Sequence, residues 1–383
     1  MSQIKEESMT SVERVLTTLD LKEPDRVPVW PVIDYLPINH YDITAQEFLE
    51  DGKKSQKAIE WIYNKLGGFD IAIPGGGLII PFISPLPSYF SSFYLDWRLP
   101  GRTLDVSMAP QLVERSLNNP LITEKDYEKI IKSGFLRLLN FKRAGIKDLF
   151  KLTKFLKNFK ENTLKWWNYF KVPTFAEGAG FTPFELLSVF RGATNFMKDI
   201  YRFPDKIKNL SDFLIDNMIL MGHYGMEQIE GKTISVGSAR ASADFISIPH
   251  FEELFWPYFK KMVSKYIKDG FIVQIHMDTN WTDRLHYFKE LPKGKIYLHL
   301  DERTDIFKAK EILGDHICIE GNLKPSLFTL GNPARIEQET KQIIDKCAEG
   351  GGLIVGAEIP DDAKLKNIKA MIDTCKTHGL YRK

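Results

Sequence analysis

The clearest pattern in the chain is a short apolar run that ends in polar, chemically active side chains. Residues 271–278 (FIVQIHMD) are largely apolar and β-branched, which is typical of a buried strand. The run ends in His276 and Asp278, and residues two apart on an extended strand point to the same side. We therefore expect both groups to face one spot beyond the strand, although a hydrogen-bonded histidine followed by a helix-capping aspartate would give the same pattern.

Three further runs downstream repeat this form, at residues 295–301, 316–320 and 352–358. Polar residues lie at or just after the ends of these runs: His299, Asp301, Glu320, Asn322 and Glu358. Helical periodicity separates the runs, with roughly 25–40 residues per strand–helix unit, as in a (β/α) barrel. In such a barrel ligands bind at the carboxyl ends of the strands, so the recurrence favours a functional site there.

The earlier part of the chain fits the same architecture. Strands are predicted near residues 25–33 and 69–73, at 172–177 ending in Glu177, and at 233–237 before a loop that carries Arg240 and Asp244. Helices are predicted at 11–19 with Ser11 as N-cap, at 45–66, at 184–191 with Thr182 as N-cap, and at 249–268. We predict an α/β fold, a (β/α)8 TIM-type barrel that forms a single domain over residues 1–383.

The rhythm breaks between residues 79 and 170. This segment is first rich in aromatic residues and proline, and then becomes basic and helical, most strongly over residues 142–165. We predict a mostly helical insertion or cap near the barrel mouth. Its basic face is either an ordinary solvated surface or a docking surface for an acidic partner or an anionic substrate.

Composition narrows the class of protein. The 383 residues carry a net charge of only +2, which gives no global field for binding nucleic acid, and no apolar run is long enough to span a membrane. The chain has an odd number of cysteines, three, and none of them has CxxC spacing. This favours a reducing, cytoplasmic location over a disulfide framework. We expect Cys318, Cys347 and Cys375 to be buried apolar residues.

Several pieces, taken in order, resemble the uroporphyrinogen decarboxylase superfamily, which includes the corrinoid-dependent (cobalamin) methyltransferases. The pieces lie at both ends of the chain: residues 23–30 (EPDRVPVW), 180–184 (GFTPF), 245–249 (FISIP), 256–258 (WPY), the strand ending in His276, 320–325 (EGNLKP), 351–356 (GGLIVG), Ile359-Pro360 and Asn367. The resemblance implies a (β/α)8 barrel with its site in the mouth. It does not extend to residues 79–170.

The departures from the family patterns decide which branch the chain resembles. The decarboxylases carry an Arg-Gln-Ala-Gly-Arg motif for the porphyrinogen carboxylates, and residues 30–38 here hold no arginine. The methyltransferases typically bind zinc through His-x-Cys and a later Cys, where this chain has His276, Asp278 and Ala357, with Glu358 adjacent. An oxygen-rich set of this kind still suits zinc and the activation of an oxygen-bearing substrate.

The resemblance thus implies a methyltransferase that moves a methyl group between a small, O-methyl type substrate and a corrinoid. No Asp-x-His-x-x-Gly signature occurs in the chain, so the cobalamin would belong to a separate corrinoid protein. A homodimer is among the assemblies left open. A metal-assisted lyase or decarboxylase acting on a small carboxylic acid, and a non-catalytic barrel, are the alternatives.

The expected site residues fall into three groups. The catalytic group is His276, Asp278, Arg240 and Asp244, and the zinc ligands are His276, Asp278 and Glu358. The substrate-binding group is Glu177, Asp301, His299 and Asn322. Arg240 would act as a clamp for an anionic or oxygen-rich substrate, or it would simply pair with Asp244.

Overall fold

The computed structural model describes residues 7–74, 96–113, 120–134 and 146–381. The strands are β1 Val29–Ile33, β2 Asp96–Arg98, β3 Gln111–Val113, β4 Gly178–Gly180, β5 Thr233–Ser238, β6 Ile272–Met277, β7 Ile296–Leu300, β8 Cys318–Asn322 and β9 Leu353–Ile359. The helices, in chain order, are α1 Ser11–Leu19, α2 Ala45–Glu50, α3 Gly52–Lys65, α4 Asp126–Ser133, α5 Ile146–Lys165, α6 Pro183–Arg191, α7 Ala193–Arg202, α8 Pro204–Ile229, α9 Ile248–Leu254, α10 Trp256–Lys268, α11 Ile306–Leu313, α12 Pro325–Leu330, α13 Pro333–Cys347 and α14 Leu365–His378. Short 3-10 helices span Leu36–Asn39 and Thr282–Glu290, and a π-helical turn spans Trp166–Phe170.

Seven of these strands form one parallel sheet in the order β1-β9-β8-β7-β6-β5-β4. An eighth segment lies between its two edges. The amide of Asp70 donates to the carbonyl of Val29 (2.9 Å), and Ala72 exchanges bonds with Pro173 and Phe175 at 3.0 and 3.1 Å. The sequence-based prediction of a TIM-type α/β fold is therefore confirmed.

Local sequence signals explain where the helices begin and end. Helix α1 spans the predicted residues, but its N-cap is Thr10, one residue before the predicted Ser11, because Thr10 and Glu13 form a reciprocal capping box while the Ser11 hydroxyl donates to Asp70 (2.8 Å). The predicted helix over 45–66 is two helices, because Asp51 adopts extended backbone angles and caps α3 through its side chain. The predicted cap of α6, Thr182, is present and accepts from Glu185.

A fully buried ion cluster ties the amino-terminal side of the barrel together. Asp70 accepts hydrogen bonds from Arg14 (2.7 Å), Arg26 (2.6 Å) and the amide of Val29 (2.8 Å), and Arg14 also pairs with Asp25 at 2.7 Å. The Asp70 side chain is 0% exposed. Burial raises the pKa of this carboxyl, but the two arginines outweigh it and bring the value to about 2. We call Arg14, Arg26 and Asp70 the arginine cluster.

The described part of the region between residues 79 and 170 contains an antiparallel hairpin, β2 with β3, and helices α4 and α5. Helix α5 lies beside α3, where Asn162 donates to the carbonyl of Gly52 (2.9 Å) and Trp166 donates to Gln56 (3.2 Å). Residues 75–95, 114–119 and 135–145 lie outside the described chain. The prediction of a mostly helical cap at the mouth therefore stays a prediction.

Two further findings concern composition. Among the described residues, none of the helices has the length and apolarity needed to cross a bilayer. Cys318, Cys347 and Cys375 are all free and buried, as expected from their apolar surroundings, and burial raises the pKa of each thiol.

Candidate active site

The site is built by a row of side chains on three neighbouring parallel strands. His276 on β6 is the register partner of His299 on β7, and His299 is the register partner of Glu320 on β8. Register partners in a sheet project to the same face, so the three groups lie side by side inside the barrel. Glu358 lies on the last strand, β9, and points to the same face as Gly356, two residues before it. Gly356 is the register partner of Asn322 on β8.

The two imidazoles are stacked face to face, with centroids 4.5 Å apart and planes within 6° of parallel. Both present Nε2 to one carboxylate oxygen: Glu358 Oε1 is 3.6 Å from His276 and 3.7 Å from His299. His276 Nε2 also lies 3.0 Å from Asp278 Oδ1. We call His276, His299 and Glu358 the histidine cluster.

The carboxylates determine the charge of the site. Burial lowers the pKa of His299, but Glu320 and Glu358 outweigh it and raise the value to about 10. Burial also lowers the pKa of His276, but the carboxylate of Asp278 outweighs it, so the pKa of His276 is raised. Conversely, the His299 imidazolium lowers the pKa of Glu358 to about 2. The site thus concentrates negative charge that a proton or a cation can neutralise.

A metal ion fits this arrangement. One donor atom from each member of the histidine cluster lies within 4.8 Å of the others, which is the spacing of ligands around a single ion. Two imidazoles with one carboxylate form a known catalytic zinc set that leaves a position open for substrate. His299 was not among the predicted ligands, and the strand register places it beside His276. Asp278, a predicted ligand, lies 3.0 Å from His276, and its ligand role stays a prediction.

Five of the predicted site residues line one small cleft at the carboxyl ends of the strands. They are Asp278, His299, Asp301, Asn322 and Glu358. Asn322 uses its side-chain amide to hold the loop after β7, donating to the carbonyls of Asp301 (3.1 Å) and Thr304 (2.8 Å). The structure therefore gives Asn322 a loop-holding contact and leaves its predicted substrate contact untested.

Arg240 and Asp244 lie in the loop after β5, one strand away from His276. Arg240 donates from Nη1 to the Ser188 hydroxyl (2.9 Å), and Asp244 pairs with Arg303 at 3.1 Å. The direct Arg240–Asp244 ion pair stays a prediction beside these contacts. The role of Arg240 as a substrate clamp stays a prediction.

Glu177 lies at the other end of the barrel. Its carboxylate accepts hydrogen bonds from Trp167 (2.8 Å) and from the amide of Thr233 (3.2 Å), at the beginning of β5. The predicted strand over 172–177 would have ended at Glu177, but β4 begins only at Gly178. Glu177 therefore precedes its strand and lies away from the cleft in which it was expected.

Two buried carboxylates near the site were not assigned a role from the sequence. Glu320 is 0% exposed and bonds to Nδ1 of His299. Glu185, on α6, bonds to the Ser238 hydroxyl and accepts from the amide of Arg240 (3.2 Å). The strand pattern ending at Glu320 was visible in the sequence, but its pairing with His299 depends on register, which the sequence does not show.

Comparison with known proteins places these features in context. Residues 110–378 match the family model described as Uroporphyrinogen decarboxylase (URO-D), so the similarity extends into the segment 79–170, where none was expected from the sequence. Two relatives, each named uroporphyrinogen decarboxylase, are 29% identical over 171 residues (Sodalis glossinidius) and 28% identical over 197 residues (Yersinia pestis). These alignments cover 42% and 49% of this chain and 44% and 52% of the relatives, so the chain spans about half the length of the curated relatives it matches.

A solved structure extends the comparison to the whole chain. A methyltransferase from Methanosarcina mazei superposes with a TM-score of 0.67, covering 96% of this chain and 98% of its own. Sequence identity is 17%, so this similarity establishes a shared fold.

Proposed function

This chain belongs to the uroporphyrinogen decarboxylase (URO-D) family, and from that premise we propose that it is a methyltransferase. It would move a methyl group between a small methylated substrate, of O-methyl type, and a corrinoid carried by a separate protein. The shared fold with a methyltransferase over nearly the whole chain supports this proposal. The buried free cysteines are compatible with a reducing, cytoplasmic setting.

The observation that carries the proposal is the histidine cluster at the carboxyl ends of the barrel strands. We propose that His276, His299 and Glu358 hold a zinc ion. A zinc ion there would act as a Lewis acid on the donor oxygen of the substrate. Asp278 Oδ1 lies 3.0 Å from His276 Nε2, the atom that would bind the ion, while Asp301 and Asn322 line the adjoining wall.

The charges of the cleft argue against a porphyrinogen with many carboxylates. The cleft lining contains Asp278, Asp301, Glu302 and Glu358 and no lysine or arginine among the described residues. The arginine cluster, with Arg26, is committed to Asp70 on the amino-terminal side of the barrel. A polyanion entering this cleft would meet like charges, so neutral or cationic substrates are favoured.

The test is a methylation assay with the purified chain and free cob(I)alamin. We expect methylcob(III)alamin, followed by absorbance, from at least one member of a panel of methyl ethers, methylamines and methyl thioethers. His276→Ala should abolish the signal, whereas His378→Ala should not, because His378, at the end of α14, pairs with Asp345 of α13 at the protein surface. Release of carbon dioxide from a small acid, without any corrinoid methylation, would instead support the decarboxylase alternative.

A further inference from the structure

We propose that Glu320 is the positioning residue of the site and that Gly356 provides the space this role needs. Glu320 would fix the His299 ring so that Nε2, and not Nδ1, faces the cleft. The inference rests on the proposed function in one respect: it assumes that the fixed nitrogen serves as a metal ligand.

A hydrogen bond joins the side chains of Glu320 and His299. Glu320 and His299 are register partners on β8 and β7, and Glu320 Oε2 accepts from His299 Nδ1. Because Nδ1 is engaged, Nε2 is the nitrogen that faces Glu358 Oε1, at 3.7 Å. A carboxylate on the far nitrogen of a metal-binding histidine fixes its tautomer and orientation and raises its basicity.

Glu320 has space for its carboxylate because its neighbour on β9 is Gly356. Its other oxygen, Oε1, is buried and has no hydrogen-bond partner in the described part of the chain. This oxygen points at Gly356 on β9, and a Cβ added there would overlap it. The backbone of Gly356, within β9, does not have the positive φ that favours glycine, so the strand geometry does not require glycine at this position.

A carboxylate buried in this way costs free energy. Burying a charge with one oxygen unpartnered is unfavourable, and a purely structural position is normally satisfied on both oxygens. Asp70 in the arginine cluster shows the satisfied case within this same barrel, with hydrogen bonds to both of its oxygens. Glu320 instead has one hydrogen bond, to a ring that lines the cleft.

The test is a thermodynamic cycle on zinc binding, measured by competition with a chromophoric chelator. Glu320→Ala and Gly356→Ala should each raise the zinc dissociation constant by about 10- to 100-fold, the range typical of outer-shell partners. The double variant should be no worse than Glu320→Ala alone, because the two nearest atoms that the added methyl group would meet belong to that carboxylate. Glu320→Gln, which keeps an oxygen for His299, should show an intermediate loss.

A matched control removes a different buried carboxylate. Asp199 accepts from Tyr127 (2.8 Å) and Arg191 (2.7 Å), between α4 and α6 and outside the strand row. Asp199→Asn should lower stability without changing the zinc dissociation constant. Unchanged zinc affinity in Glu320→Ala, or additive effects of the Glu320 and Gly356 substitutions, would overturn the inference.

A second readout separates this inference from the proposed function. In the metal-free protein, NMR should show a hydrogen-bonded Nδ1 proton on His299 that is absent in Glu320→Ala. A wild-type chain that binds no zinc would refute the metal part of the proposed function, and the Nδ1 signal would still decide the positioning role. Absence of that signal in the wild type refutes the positioning role.

Discussion

Two charged clusters lie at opposite ends of the same barrel and are built in opposite ways. In the arginine cluster every charge has a close, opposite partner, with distances of 2.6 and 2.7 Å to Asp70. In the histidine cluster the shared carboxylate is 3.6 and 3.7 Å from both imidazoles, beyond good hydrogen-bond length. The first cluster is closed, and the second leaves room between its donor atoms.

The difference separates a buried cluster whose charges are fully paired from one whose donor atoms are left open to a ligand. Asp70 is fully buried and also accepts from the backbone of β1, so it fixes the strand arrangement. Glu358 is 52% exposed and extends from the end of β9 into a cleft. Polar groups that converge without satisfying one another are costly unless a proton or a ligand completes them. The following experiments separate the two cases.

The largest effect is expected from breaking the arginine cluster. Asp70→Asn leaves two buried guanidinium groups with reduced compensation, and removing one partner of a buried ion pair costs about 3–5 kcal/mol. We expect a loss of this size in the free energy of unfolding, measured by urea denaturation. Zinc affinity of the folded fraction should be unchanged. A loss below about 1 kcal/mol, the range of surface ion pairs, would show that the cluster is not structural.

The converse experiment breaks the histidine cluster. Glu358→Gln should weaken zinc binding by at least about 100-fold, because loss of a ligand should lower the affinity at least as much as loss of a group that only orients a ligand. Its unfolding free energy should stay within about 1 kcal/mol of wild type, since the side chain is half exposed. Glu337→Gln on α13 is the matched control, as Glu337 pairs only with Lys341 on the surface in the described structure. Equal zinc affinity in both variants would contradict a ligand role for Glu358.

Acid titration should reveal the arginine cluster without mutation. The pKa of Asp70 falls from 3.8 to about 2 on folding, so its contribution is present above pH 3.8 and is lost as the pH falls towards 2. The shift corresponds to about 2 kcal/mol. Wild type should therefore lose stability steeply between pH 4 and 2, and Asp70→Asn should show a shallower slope there. Parallel slopes for the two proteins would rule out this contribution.

The fold and part of the site could be predicted from the sequence, for a physical reason. Apolar runs with polar ends encode strands and their direction, so the convergence of His276 and Glu358 follows from parallel pairing alone. The pairing of His299 with His276, and of Glu320 with His299, depends on register between distant segments. Glu177 shows the same limit: a strand that begins a few residues later moves the residue to the opposite end of the barrel.

The smallest effect is expected at Asp278, which the sequence suggested as a ligand and the structure places beside His276. Its Oδ1 is 3.0 Å from His276 Nε2, and its side chain is 44% exposed. Asp278→Asn keeps the shape and removes a solvent-screened charge, so we expect a loss of about 1 kcal/mol, roughly fivefold, in zinc affinity and in methylation rate. Zinc titration and the cob(I)alamin assay measure the two quantities. A loss as large as that of Glu358→Gln would make Asp278 a fourth ligand, and the mouth would then hold its metal through two histidines and two carboxylates.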